Sequence, residues 1–234
     1  MRLSRTILAL AGVVTMVVAL DATAVPARAQ NPTLIHPKRA EFSYDDRLNP
    51  DLVRKAVLDF ATCALERRRN SSMEYLAALP ESRESRRYLS RLVDEDCLGT
   101  GRMKFSEPLF RGAMYQRLYL DTYRNDPVPD LSALASPDYF QDVSPLNAAE
   151  QQGVAIRQFA DCVVRDQPEV AHRLATSLIG SSEENGSFST LMPSFSKCLA
   201  KNKTLEFKKS QLRGTMAEVL YRIRTESKPA GTEE

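Results

Sequence analysis

The stretch "FRGAMYQRLYL", residues 110–120, returns as "LRGTMAEVLYRI" at residues 212–223, and this recurrence decides the fold. Phe110, Met114 and Leu118 step by four, as do Leu212, Met216 and Leu220, which is the spacing of an apolar helix stripe. A glycine inside a helix costs about 1 kcal/mol relative to alanine. Gly112 and Gly214 therefore imply that a backbone or ring passes close by in both copies. Arg111 and Arg213 fall at the edge of the stripe, where an arginine lays its stem on the core and aims its guanidinium at carbonyls or an acid. In a functional alternative, the two arginines, with Tyr119 and Tyr221, form a binding site. There Arg111 and Arg213 converge across a pseudo-twofold on an anion or a partner carboxylate.

The resemblance extends upstream. "LDFATCAL" (58–65) aligns with "RQFADCVV" (157–164), placing Phe60 over Phe159 and Cys63 over Cys162. Cys97 falls opposite Cys198, and Phe105 opposite Phe207. The chain is thus a tandem duplication of one unit, which fixes how every other signal is read. Within-unit pairing, Cys63–Cys97 and Cys162–Cys198, is the simpler disulfide scheme; crossed pairing between the units is the alternative.

Periodicity is helical throughout, so the expected fold is all-α: two duplicated, disulfide-stapled four-helix units packed with pseudo-twofold symmetry. The units span 49–122 and 147–224, joined by a proline-rich linker at 123–146 with one helical turn at "DLSAL". In the first unit, Ser71 and Glu74 suggest a capping box for the second helix. A third helix covers about 83–97, and a fourth begins near Ser106 with Pro108 in its first turn. In the second unit, Asn147 and Glu150 cap the first helix and Pro168 opens the second. Asn185 precedes the third, which Pro193 should kink or break, and Thr204 starts the fourth.

Residues 1–29 read as a signal peptide: Arg2 and Arg5, an apolar "ILALAGVVTMVVAL", then small residues at Ala27 and Ala29, with cleavage before Gln30. Residues 30–48 read as a mobile leader and 225–234 as a disordered tail. The mature chain then has no transmembrane segment and is periplasmic or secreted, where four cysteines suit disulfides. The signal carries three basic residues and one acidic, so the mature chain is formally neutral, with no overall electrostatic attraction to nucleic acid or to an anionic membrane. Local basic runs such as "ERRRN" and "ESRESRR" read as solvated helix faces.

Catalytic signals are sparse. The two histidines, His36 and His172, offer no metal cluster, and "DED" at 94–96 lacks the alternating ligands of a calcium loop. No phosphate-binding loop or dinucleotide fingerprint appears, so no cofactor is implied. Ser194 and Lys197 have the S-x-x-K spacing of a nucleophile and its base, without the companion motifs of penicillin-binding enzymes.

The pattern F-A-x-C, a second cysteine some 35 residues on, and R-G-x-M followed by L-Y resembles a group of small exported bacterial proteins to which no activity is attached. The resemblance implies export and assigns no site. The expected function is a non-enzymatic binding or structural protein of the bacterial cell envelope. It would engage an unknown protein or small-molecule partner through the groove between the units. The alternatives are a hydrolase using Ser194 and Lys197, and a helical carrier of a small apolar ligand.

Overall fold

Asn49 opens the first helix: its side chain accepts from the Asp51 N–H, and Pro50 occupies the first turn, where a missing N–H does no harm. In the computed structural model α1 runs Pro50–Arg67, followed by α2 (Arg69–Ala77), α3 (Arg83–Leu92), α4 (Glu95–Leu98) and α5 (Glu107–Tyr123). The second copy contributes α6 (Ala148–Asp166), α7 (Pro168–Thr176), α8 (Ser182–Cys198) and α9 (Lys209–Glu226). The structure describes residues 49–92, 95–98, 103–139, 145–199, 205 and 207–226, and among these there is no strand. The expectations for the signal peptide, the leader, His36, Asp94, Thr204 and residues 227–234 lie outside the described residues.

The fold is all-α, and the two copies correspond helix by helix: α1 to α6, α2 to α7, α3 and α4 to α8, α5 to α9. Cys63 bonds Cys97 and Cys162 bonds Cys198, so each staple ties a unit's first helix to the end of its third segment. The aromatic packing repeats as well. Phe60 and Phe105 have ring centroids 5.6 Å apart, and so do their counterparts Phe159 and Phe207.

Each copy has its own core. Val57, Phe60, Ala64, Tyr75, Leu92, Phe110 and Met114 are buried together in the first, and Phe159, Val163, Leu174, Leu191, Met216 and Leu220 in the second. Burying side chains of this size contributes about 1.5–3 kcal/mol each. The closing helices α5 and α9 lie between the two cores. Residues 110–116 are buried without interruption, as are 212–220, so neither central helix has the one-sided pattern of a surface helix.

Several local expectations are corrected. α2 begins at Arg69 with no side-chain cap, so Ser71 and Glu74 do not form a capping box; Ser72 instead hydrogen-bonds the Ala64 carbonyl. α3 and α4 cover the span expected for the third helix of the first unit. In the second unit α8 starts at Ser182 behind a Ser181 cap, not after Asn185. It also continues through Pro193. That proline is exposed, so the carbonyl its ring displaces can be hydrated and the helix survives. α9 starts at Lys209 and extends through Glu226, into the expected tail.

Asn147 and Glu150 form the expected capping box, and Pro168 stands at the first turn of α7. The linker is more than a tether. Leu131 and Tyr139 are buried against the second core, and Arg165 donates to the carbonyls of Leu131, Leu134 (2.8 Å) and Ala135 (3.1 Å). The expected helical turn at "DLSAL" is a single hydrogen-bonded turn, the Leu134 N–H donating to the Leu131 carbonyl. No helix among the described residues is long and apolar enough to cross a membrane.

Candidate functional site

The candidate site is the seam between the copies. At its centre α5 and α9 cross backbone on backbone. A Cβ on Gly112 would lie 2.7 Å from the Cα of Gly214, and a Cβ on Gly214 would lie 2.5 Å from the Cα of Gly112. The close neighbour that each glycine implied is the other glycine.

Two small clefts flank this crossing, and Gly112 lines both. Each has a free volume of about 20 Å³, room for a water molecule. The first is lined by Arg111, Arg157 and Glu218, the second by Arg54 and Arg213. Where the sequence suggested an inter-unit groove, these two clefts are water-sized and sit either side of a closed contact.

Arg111 is buried and donates to the carbonyls of Tyr75 (3.0 Å), Ala78 (3.1 Å) and Leu76 (2.5 Å). It also reaches Glu218 of the other copy at 3.4 Å, and Glu218 is held by Arg157 through two bonds of 2.9 Å. Arg213 is equally buried. It donates to the Ser177 carbonyl (2.5 Å), the counterpart of Ala78, and to Glu184 (2.6 Å). Arg54 of the first copy grips the same carboxylate at 2.5 and 2.8 Å. The seam thus contains two Arg–Glu–Arg triads, the buried Arg111–Glu218–Arg157 and Arg213–Glu184–Arg54, which is half-open at Arg54, each drawing members from both copies.

These triads answer the question of convergence. Arg111 and Arg213 do not meet at a shared anion site. Each lines a different cleft and spends its guanidinium on its own unit's loop and on one carboxylate. In both, the Nε is buried without a hydrogen-bond partner, as is the Tyr75 hydroxyl.

Burial and charge pull the pKa values in opposite directions. For Glu218, burial raises the carboxyl pKa, but Arg157 and Arg111 outweigh it and hold the group below its ordinary range. For Glu184, burial again raises it, while hydrogen bonds from Arg54, the Gly180 N–H and Arg213 bring it down to about 2. Burial wins at Arg213, whose pKa is lowered despite Glu184. At Arg111 burial is overcome by Glu218, and the pKa is raised.

The loops beneath the arginines match too. Glu81 and Gly180 occupy equivalent places, and both have left-handed backbone, φ 62° and 80°. Each N–H donates to a carboxylate: Glu81 to Glu107 at 3.0 Å, Gly180 to Glu184 at 2.8 Å.

Tyr119 and Tyr221 serve a different cluster. Tyr119 is fully buried; its hydroxyl lies 2.7 Å from His172 Nδ1 and accepts from Arg224 at 3.2 Å. Burial and the Arg224 charge lower the His172 pKa. Tyr221 is half-buried and packs on Tyr115 and Tyr123, with ring centroids 5.9 and 6.0 Å away. A row of tyrosines therefore runs along the seam.

Ser194 and Lys197 do not form a nucleophile–base pair. Ser194 is 1% exposed; its hydroxyl donates to Asp166 at 2.7 Å and accepts from Gln167 at 2.9 Å. The exposed Lys197 ammonium pairs with the other oxygen of Asp166, whose carboxyl is held low by Lys197 and Ser194. Among the described residues no group of His, Cys, Asp and Glu is placed to hold a metal ion.

Glu184, Glu218, Arg54 and Arg157 were missed by the sequence reading. Their signal was an acid or arginine on an otherwise apolar helix face, visible only once the faces are known. No family model, no curated protein and no solved structure matches the chain.

Proposed function

We propose that this chain is an exported, non-enzymatic binding or structural protein of the bacterial cell envelope, akin to the small exported group that its repeated motif resembles. On this reading residues 1–29 are a signal peptide removed before Gln30, and the mature chain works in the periplasm or outside the cell. The observation that supports it best is the fusion of both copies into one block. Two disulfides at equivalent places suit an oxidising compartment, and two triads spanning the copies spend the buried charges on holding them together. With Ser194 and Lys197 committed to Asp166, surfaces rather than a reactive cleft are left to carry the activity.

Cell fractionation with thiol trapping tests compartment and redox state together. The mature chain should begin at Gln30 and be recovered outside the cytoplasm with no reactive thiol. Recovery of a full-length, reduced chain from the cytoplasm would overturn export. In-cell crosslinking should capture an envelope component. A hydrolytic activity abolished by Ser194→Ala in a folded protein would favour the enzyme instead.

A further inference from the structure

Helix α3 carries four arginines, Arg83, Arg86, Arg87 and Arg91, on ten residues. At 100° per residue they occupy one arc of the helix, and all four are exposed. The opposite arc carries the buried Ser85 and Leu92. Among the described residues none of the four is in a salt bridge: Arg86 donates to the Glu81 carbonyl and Arg91 lies over the Tyr88 ring. Glu84 is the only acid on the helix.

The duplication supplies an internal control. From Ser82 to Leu92 the copies align without a gap onto Ser181 to Leu191. The buried positions agree, Ser85 with Glu184 and Leu92 with Leu191, all at 0% exposure. At the four arginine positions the second copy has Ser182, Asn185, Gly186 and Thr190. The fold therefore does not require the arginines. Like charges at Arg83/Arg87 and Arg87/Arg91 are spaced four apart, an arrangement that opposes helix formation. The chain carries this cost in one copy only.

We infer that the α3 face is a docking surface for the phosphate headgroups of an anionic lipid bilayer. The guanidinium fork matches phosphate and keeps its charge at any physiological pH, and every base on this face is arginine rather than lysine. The four span about 12 Å along the helix, so they meet a flat surface together. The aromatic beside this arc, Tyr88, is half-buried and covered by the Arg91 guanidinium, and the helix has no amide side chain to read a base. It also lacks the buried apolar anchor that a protein interface is built around. What remains suits an array of phosphates. Export would decide only which leaflet is met, so an in vitro vesicle measurement separates this inference from the proposed location.

The test is co-sedimentation of the mature protein with vesicles of phosphatidylcholine alone, or of phosphatidylcholine with phosphatidylglycerol, at low and at high salt. Binding should need the anionic lipid and disappear near 1 M salt, where screening shortens to about 3 Å. Each arginine at such a surface is worth roughly fivefold in partitioning, so Arg83→Gln with Arg87→Gln should weaken it about 25-fold. Among the described residues neither side chain has a partner, so circular dichroism should be unchanged, and Arg83→Lys with Arg87→Lys should retain most of the binding. Equal binding to neutral vesicles, or no effect of the double glutamine variant, would overturn the inference. So would duplex DNA or polyglutamate binding as tightly as the anionic vesicles through the same two arginines.

Discussion

Replacing Gly112 by alanine tests the centre of the molecule. The new methyl would lie 2.7 Å from the Gly214 Cα, whereas carbon atoms in contact sit about 3.5–4.0 Å apart. The obstacle is backbone, so no rotamer can relieve it, and α5 and α9 must part by about 1 Å at their crossing. Overpacking of this kind costs about 1–3 kcal/mol, here near the upper end. Alanine returns about 1 kcal/mol of helix propensity, leaving a net loss of about 2 kcal/mol. Gly186 provides the matched control: it lies inside α8, exposed, with nothing within 4 Å of a Cβ. Gly186→Ala should therefore stabilise the protein by up to about 1 kcal/mol. Urea unfolding of the oxidised mature protein, followed by far-UV circular dichroism, should place the two variants about 3 kcal/mol apart with opposite signs. If Gly112→Ala stabilises as Gly186→Ala does, the helices do not cross backbone on backbone and the reasoning fails.

Glu184, with its pKa brought from 4.5 to about 2, contributes about 3 kcal/mol that is present above the unfolded value and lost as pH falls toward 2. About 2 kcal/mol of this should be gone by pH 3, and Glu184→Gln should flatten that part of the stability–pH curve; an unchanged slope would contradict the triad. Replacing Cys63 and Cys97 by serine opens a 34-residue loop and should cost about 3–4 kcal/mol by chain entropy, measured by urea unfolding beside the Cys162/Cys198 pair. Glu81→Gly should relieve left-handed backbone that its counterpart Gly180 already accommodates, a net gain of about 0.5 kcal/mol in thermal or urea unfolding. A loss there would mean that the Glu81 side chain matters more than its φ.

The duplication made much of the architecture legible. Two Arg-Gly helices, two matched cysteine pairs and two matched phenylalanine pairs are hard to place on any other plan, and the disulfides and ring distances follow it. Asn147 with Glu150 was readable because a capping box is local. Pro193 does not end α8, because that outcome depends on whether the displaced carbonyl faces water, which is a tertiary fact. The Arg54–Glu184 pair bridges 130 residues and Arg157–Glu218 bridges 61, so no local pattern announces either. The proposed meeting of Arg111 and Arg213 failed for the same reason. Their equivalence in sequence was clear, but whether a pseudo-twofold brings two equivalent groups together or sets them apart depends on where the axis passes. Here the reciprocal contact belongs to the glycines beside them.

A contact made by the same residue from each side is its own complement. A single ancestral unit ending in such an Arg-Gly helix would already have possessed a surface able to pair with another copy of itself, and joining two genes would have made that pairing permanent. The triads record what fusion then allowed. Glu218 stands opposite Gln116 in the other copy, and Arg54 stands opposite Gly153, so the halves have diverged: Glu218 and Glu184 each have an arginine of their own copy, and Arg111 and Arg54 reach across to them. The first half alone would leave the buried Arg111 without the Glu218 carboxylate, so these two copies can no longer trade places.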